Sequence, residues 1–170
     1  SFEKEYLPEF TFKVDDIKVV KTISMVYGRN TVVVKYKIKN GKKDAKLVLA
    51  PVVNFRDFHH MTTNHNFDIK QRQDYKNKIR IEIDGNASTP LYIYLNDGDY
   101  FMHENDTFKN MYYLKEEERG FYPEEDLAVP GRYEVYLKAK ESKEITFVAS
   151  LEDNTEQIDA EKVFETEIKR

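Results

Sequence analysis

Two stretches of the chain gather side chains that could do chemistry. The first is Pro51-Val52-Val53-Asn54-Phe55-Arg56-Asp57-Phe58-His59-His60, followed by His65. Neighbouring histidines with a third close by can ligate a metal, but adjacent side chains on an extended chain point to opposite faces and the spacing matches no diagnostic metal motif. The commoner use of such residues is structural, with Arg56 and Asp57 forming an ion pair or holding loop carbonyls. No metal and no cofactor is therefore assigned.

The second stretch runs Met111-Tyr112-Tyr113-Leu114-Lys115-Glu116-Glu117-Glu118-Arg119-Gly120 and continues through Glu124-Glu125-Asp126-Leu127. Paired carboxylates beside aromatic rings are the equipment of glycoside hydrolysis, in which one acid protonates the leaving oxygen and a second acts as base or nucleophile. Acidic runs more often form solvated faces, caps and salt bridges, and no residue is assigned as catalytic. Binding lies between the two readings. Tyrosine faces flanked by Asp, Glu, Arg and Asn suit a polyhydroxylated ligand through stacking and hydrogen bonds, with Tyr112 and Tyr113 as the candidates, and one tyrosine of the pair can equally pack inward.

Other chemistries are excluded by what the chain lacks. There is no Gly-rich phosphate loop, no Gly-x-Ser-x-Gly elbow and no His-Glu-x-x-His. With zero cysteines there are no disulfides, thiolate metal sites or cysteine nucleophiles, which is compatible with a reducing cytoplasm. The 27 basic against 31 acidic residues give a net charge of −4, which argues against a nucleic-acid partner. No apolar run is long enough for a membrane helix and no secretory signal opens the chain. Asn86-Ala87-Ser88 and Asn105-Asp106-Thr107 match the glycosylation triplet, by chance in the absence of that signal.

The elements that must position these residues read as strands. Residues 31–39 alternate apolar and basic, Asn40-Gly41 follows, and residues 45–53 are nearly continuous in apolar side chains, which suggests a hairpin. Residues 79–83 and 91–95 suggest a second hairpin across Asp84-Gly85, and residues 133–137 with 144–149 a third across the polar turn 140–143. Residues 10–14 and 17–26 add two more strands. The core must be aromatic, because 12 Tyr and 11 Phe accompany no Trp. The least regular stretches are 54–76 and 100–130, and long loops on a sheet scaffold are where binding residues usually sit. Only the tail, 154–169, has a helical pattern, with Asn154 or Thr155 as its cap and Ile158, Val163, Phe164 and Ile168 as its stripe. The fold class is all-β, an antiparallel β-sandwich with a short C-terminal helix, in a single domain over 1–170.

Three blocks, in order and spacing, resemble the N-terminal domain of the bacterial and archaeal type of glycogen debranching enzyme, the amylo-α-1,6-glucosidase group. They are Met25-Val26-Tyr27-Gly28-Arg29-Asn30-Thr31-Val32-Val33-Val34-Lys35-Tyr36, then Leu49-Ala50-Pro51-Val52-Val53-Asn54-Phe55-Arg56-Asp57-Phe58-His59, then Tyr112-Tyr113, Glu116, Glu118-Arg119-Gly120, Glu124-Glu125-Asp126-Leu127 and Pro130-Gly131. The resemblance implies a supersandwich similar to the galactose mutarotase and glucoamylase N-terminal folds, placed before an (α/α)-toroid that holds the hydrolytic carboxylates. The family's upstream Gly-rich and Arg-x-Tyr-His-Gly-Leu block has no counterpart here, and the chain does not begin with Met. It therefore resembles the latter part of that domain, a fragment whose helix 154–169 leads toward the toroid.

On this reading the chain alone is no enzyme, although its parent is an α-1,6-glucosidase. Arg56, Asp57, His59, Tyr112, Tyr113, Glu116, Arg119, Glu125 and Asp126 would then bind α-glucan or dock the toroid, and an exposed sheet edge would pair with a second copy as a homodimer. The alternatives are an independent α-glucan-binding module and a purely structural interaction domain.

Overall fold

Period-two alternation over most of the chain is realised as eleven strands in the computed structural model, which describes residues 1–4, 6–57 and 60–170. The strands are β1 (Phe2–Lys4), β2 (Pro8–Val14), β3 (Ile17–Met25), β4 (Thr31–Lys39), β5 (Ala45–Leu49), β6 (Ile69–Tyr75), β7 (Lys78–Ile83), β8 (Leu91–Leu95), β9 (Asp99–Tyr112), β10 (Glu124–Leu137) and β11 (Ser142–Ser150). Two helices complete the set, α1 (Leu114–Glu118) and α2 (Ala160–Lys169), the latter preceded by a 3-10 turn, Thr155–Gln157. The all-β antiparallel sandwich with a short C-terminal helix is what forms.

The strands divide unequally. One sheet has eight, in the order β1-β2-β3-β4-β11-β8-β7-β6, and the other three, in the order β5-β10-β9. The main core lies between them, where Ile38, Ile79, Ile81, Ile83, Ile93, Leu95 and Ile145 of the large sheet meet Tyr133, Val135 and Leu137 of β10. Tyr133 is buried among these rings and aliphatics, and its hydroxyl is satisfied by the carbonyl of Asn77 at 2.9 Å. The large sheet's opposite face carries α2, where Val33 and Val148 pack with Ala160 and Phe164 in a smaller cluster. Both faces of β4 are thus covered. Lys35, on the α2 side, is buried there, its ammonium paired with Glu161 and lying 4.8 Å from the Phe164 ring centre.

The hairpin β7–β8 pairs as its sequence suggests, and β2 pairs with β3. The other two expected hairpins do not form. β4 pairs with β3 and β11, and β5 with β10, so residues 40–44 carry the chain from one sheet to the other. Asn40 is the reason. Its buried amide donates to the carbonyls of Lys43 and Lys138, at 2.9 and 2.7 Å, which fastens a sheet crossing rather than a two-residue turn. β10 and β11 likewise belong to different sheets.

Nor are the stretches 54–76 and 100–130 irregular throughout. β6, all of α1, most of β9 and the start of β10 fall within them. At the tail the helix proper starts at Ala160, and its cap is Asp159, whose carboxylate accepts from the Lys162 amide at 3.1 Å. No helix among the described residues is long and apolar enough to cross a membrane.

Candidate functional site

Beyond β5 the chain continues alongside β10. Val53 and Ala128 exchange backbone hydrogen bonds of 2.9 and 2.8 Å in an isolated antiparallel bridge, which fixes Asn54 and Arg56 beside the first residues of β10. On the same segment of β10, the Asp126 amide donates to the Thr62 carbonyl at 2.7 Å. Glu125 is thereby enclosed and only 1% exposed.

Its carboxylate is completely engaged. Arg56 approaches side-on, with Nε on Oε1 and Nη2 on Oε2 at 3.1 Å. The Tyr113 hydroxyl donates to Oε2 at 2.9 Å, the Asn54 amide to Oε1 at 3.2 Å and the Thr62 backbone amide to Oε1 at 3.4 Å. Burial alone would push this carboxyl up, but the Arg56 and Tyr113 hydrogen bonds outweigh it and hold Glu125 below the usual carboxylate range. Tyr113 shifts the other way, upward, through burial and its bond to the carboxylate, and Arg56 is raised by its hydrogen bond to Glu125. A carboxylate so saturated with donors stays ionised and has no proton to give, so its role is to hold Arg56 and Tyr113 in place.

Tyr113 sits just before α1 in extended conformation, its amide tied to the Pro123 carbonyl at 2.8 Å. Glu116 and Glu117 in the first turn complement the helix dipole. The helix stops in a Schellman motif: the Gly120 amide reaches the Glu117 carbonyl at 2.8 Å and the Phe121 amide the Glu116 carbonyl at 2.9 Å, with Gly120 at φ +79°. That reversal turns Phe121 and Tyr122 outward, both more than half exposed. The result is a concavity of about 570 Å³ lined by Arg56, Met61, Tyr113, Glu116, Arg119, Phe121 and Tyr122. Arg119 donates to Glu116 at 3.2 Å across its wall, and the Tyr122 hydroxyl to Glu124 at 3.2 Å at its rim.

Of the residues singled out in the sequence, Arg56, Tyr113, Glu116 and Arg119 share this wall and Glu125 lies behind it. Of the others that the structure describes, Asp57, Tyr112 and Asp126, none is a liner. Tyr112 ends β9 and is exposed, with Glu117 raising its hydroxyl. Asp126 is buried and accepts from the Asn110 amide at 3.1 Å, which secures the β9–β10 ladder. Asp57 is exposed and lies 3.4 Å from His60 Nδ1, while His65 engages Asp84 at 2.7 Å. His59 lies outside the described residues.

Phe121, Tyr122 and Met61 escaped the sequence reading, although Phe121-Tyr122 directly follows the helix-stopping Gly120. So did a network on the outer face of the small sheet, where nearly buried Glu134 accepts from Lys46 and Arg132, each at 2.8 Å, and from the Tyr136 hydroxyl at 3.2 Å. Lys46 and then Arg132 push the Glu134 carboxyl down to about 2.

An antiparallel sandwich that builds an aromatic-rimmed, ion-paired concavity where the small sheet begins is a β-sandwich domain with a candidate binding face. The chain belongs to the glycogen debranching enzyme N-terminal family, whose model matches residues 1–144. Among solved structures, a protein assigned as a kojibiose phosphorylase, from the human microbiome, superposes with a TM-score of 0.50 at 12% identity over 96% of this chain, which shows the fold. A polysaccharide lyase matches with a TM-score of 0.43 at 13% identity over 84% of this chain. The chain spans only 22% and 21% of those two proteins. No curated protein matches it in sequence.

Proposed function

We propose that the protein is the non-catalytic N-terminal domain of an α-glucan debranching hydrolase, an α-1,6-glucosidase acting at glycogen branch points. In this reading its concavity forms a rim where an α-glucan chain rests beside the (α/α)-toroid catalytic domain of the same polypeptide, in the cytoplasm. The carrying observation is the side-on Arg56–Glu125 pair with Tyr113. It fixes a guanidinium and a phenol in the same concavity as two outward aromatic rings, a combination of flat apolar surface and directed donors that suits sugars. The family match supports the glucan chemistry. Among the concavity's described liners Glu116 is the single carboxylate; of the acids beside it, Glu125 is sequestered and Glu124 accepts from the Tyr122 hydroxyl at the rim, which suits a binding role over hydrolysis.

Native electrophoresis of the chain in gels cast with glycogen tests this. Retardation that weakens in Tyr122→Ala and Phe121→Ala, while melting temperature holds, is the expected result. Mobility unchanged by glycogen at every concentration would remove the glucan contact and leave the concavity as a face for the catalytic domain.

A further inference from the structure

The eight-stranded sheet overhangs the three-stranded one. β9 lies on the β6 side of the sandwich, and β5, at the other end of the small sheet, sits over β4, where Leu49 and Val52 line a cleft of about 360 Å³ with Lys21, Val34 and Tyr36. Past β5 no element among the described residues covers the inward face of β1 and β2. The registers Phe2↔Phe10, Phe10↔Lys21, Phe12↔Val19 and Val14↔Ile17 put Phe2, Phe10, Phe12 and Val14 on the inward side, the face that elsewhere makes the core. Their partners in register, Val19 and Ile17, do pack against that core. Glu9, Thr11 and Lys13 take the opposite face.

This is the alternation of a buried strand in a place with no second layer. Phe2, Phe12 and Val14 remain 57%, 51% and 66% exposed. α2 cannot cover them, since it packs on the other side of the sheet. The same flank also holds an open strand edge, because β5 pairs with β10 alone.

We infer that this flank is a self-complementary interface, and that its occupant is the same flank of a second copy. A two-fold axis running along the strands beside β2 lays the β1–β3 wing of each copy over that of the other, in the layer of the small sheet. β1 of one copy then comes beside the open edge of β5 in its partner, and the wing supplies the strands that the small sheet lacks. The arrangement is isologous and closed, so it stops at two. β1, β2 and β3 are three, seven and nine residues long, so at about 4.8 Å between strands and about 3.3 Å per residue they present roughly 300 Å² per copy. With interdigitated side chains that removes on the order of 1,000 Å² in total, the size of a small, reversible interface. Lys21, the charged residue on the inward side of β3, lies at the cleft with its ammonium 6.0 Å from the Tyr36 ring centre and stays at the border.

Analytical ultracentrifugation of the 170-residue chain tests this independently of any glucan. A dimer is expected, and Phe12→Glu and Val14→Glu should convert it to a folded monomer with unchanged circular dichroism. Tyr75→Glu, equally exposed but on the distant β6, should leave it dimeric. Because the chain has no cysteine, Phe12→Cys offers a second readout that tolerates weak folding: a short bismaleimide should link two copies through Phe12→Cys and not through Tyr75→Cys. A monomer at all concentrations, or a dimer that survives Phe12→Glu and does not cross-link at position 12, overturns the proposal.

Discussion

Arg56 and Glu125 stand 69 positions apart in sequence and meet side-on, guanidinium edge to carboxylate, behind the wall of the candidate site. Taking both charges out of water is costly, and the pair tolerates it because the carboxylate also receives Tyr113, Asn54 and the Thr62 amide. Glu125→Ala would leave a partly buried guanidinium and a phenol without their acceptor. The expected loss is about 3–5 kcal/mol in urea-unfolding stability. Glu125→Gln, which keeps the shape and drops the charge, should lose less. A Glu125→Ala protein within about 1 kcal/mol of wild type would show that the cluster is dispensable to the fold.

Glu134, on the outer face of the small sheet, should govern part of the acid sensitivity. Its folded-state pKa is depressed to about 2, below the unfolded value near 4.3, so the stability it adds is present above the unfolded value. That contribution is lost as pH falls from about 4 through about 2. Glu125 acts in the same direction. Melting temperature should therefore hold from neutrality down to about pH 5 and fall below it, and Glu134→Gln should fall less steeply. Identical slopes for the two proteins would assign the acid transition to other carboxylates.

How far the sequence discloses this depends on whether the deciding interaction is local. The β7–β8 pair is legible because Ile79, Ile81 and Ile83 alternate strictly and Leu91, Ile93 and Leu95 answer them after a short turn. The route out of β4 is not, because Asn40-Gly41 looks like a hairpin turn and becomes a sheet crossing only through Asn40's bond to Lys138, almost a hundred residues away. β9 hides for a different reason. It is an edge strand of the small sheet and reads Asp, Glu, Asn and Lys at exposed positions, so no apolar period marks it. The site was half visible: composition drew attention to both segments that build it, while the pairing of Arg56 with Glu125 rather than with Asp57 follows from the Val53–Ala128 bridge, which no local pattern encodes.

The helix on the far side of the large sheet should contribute through a single ring. Phe164 is nearly buried between Val33 and Val148 and lies under the ammonium of Lys35. Phe164→Ala leaves a cavity there and removes the cation–π contact, at an expected cost of about 3–5 kcal/mol. Hydrogen exchange should then show α2 opening while β7 and β8 stay protected. Uniform loss of protection would mean that α2 and the main core unfold as one unit.

Gly120 separates the geometry of the concavity from the stability of the fold. At φ +79° it lies in the left-handed region, and a Cβ built there meets nothing within 4 Å, so the only penalty of a substitution is conformational. Alanine should cost about 1–2 kcal/mol at that angle, and asparagine, which visits the left-handed region more readily, distinctly less. The strain would be relieved locally, by loosening the two hydrogen bonds that close α1 and with them the outward set of Phe121 and Tyr122. If these rings grip glucan, glycogen retention in native gels should drop for Gly120→Ala and recover in Gly120→Asn, with both proteins fully folded at the gel temperature. Equal retention in both variants would show that the rings bind without needing the Schellman turn to orient them.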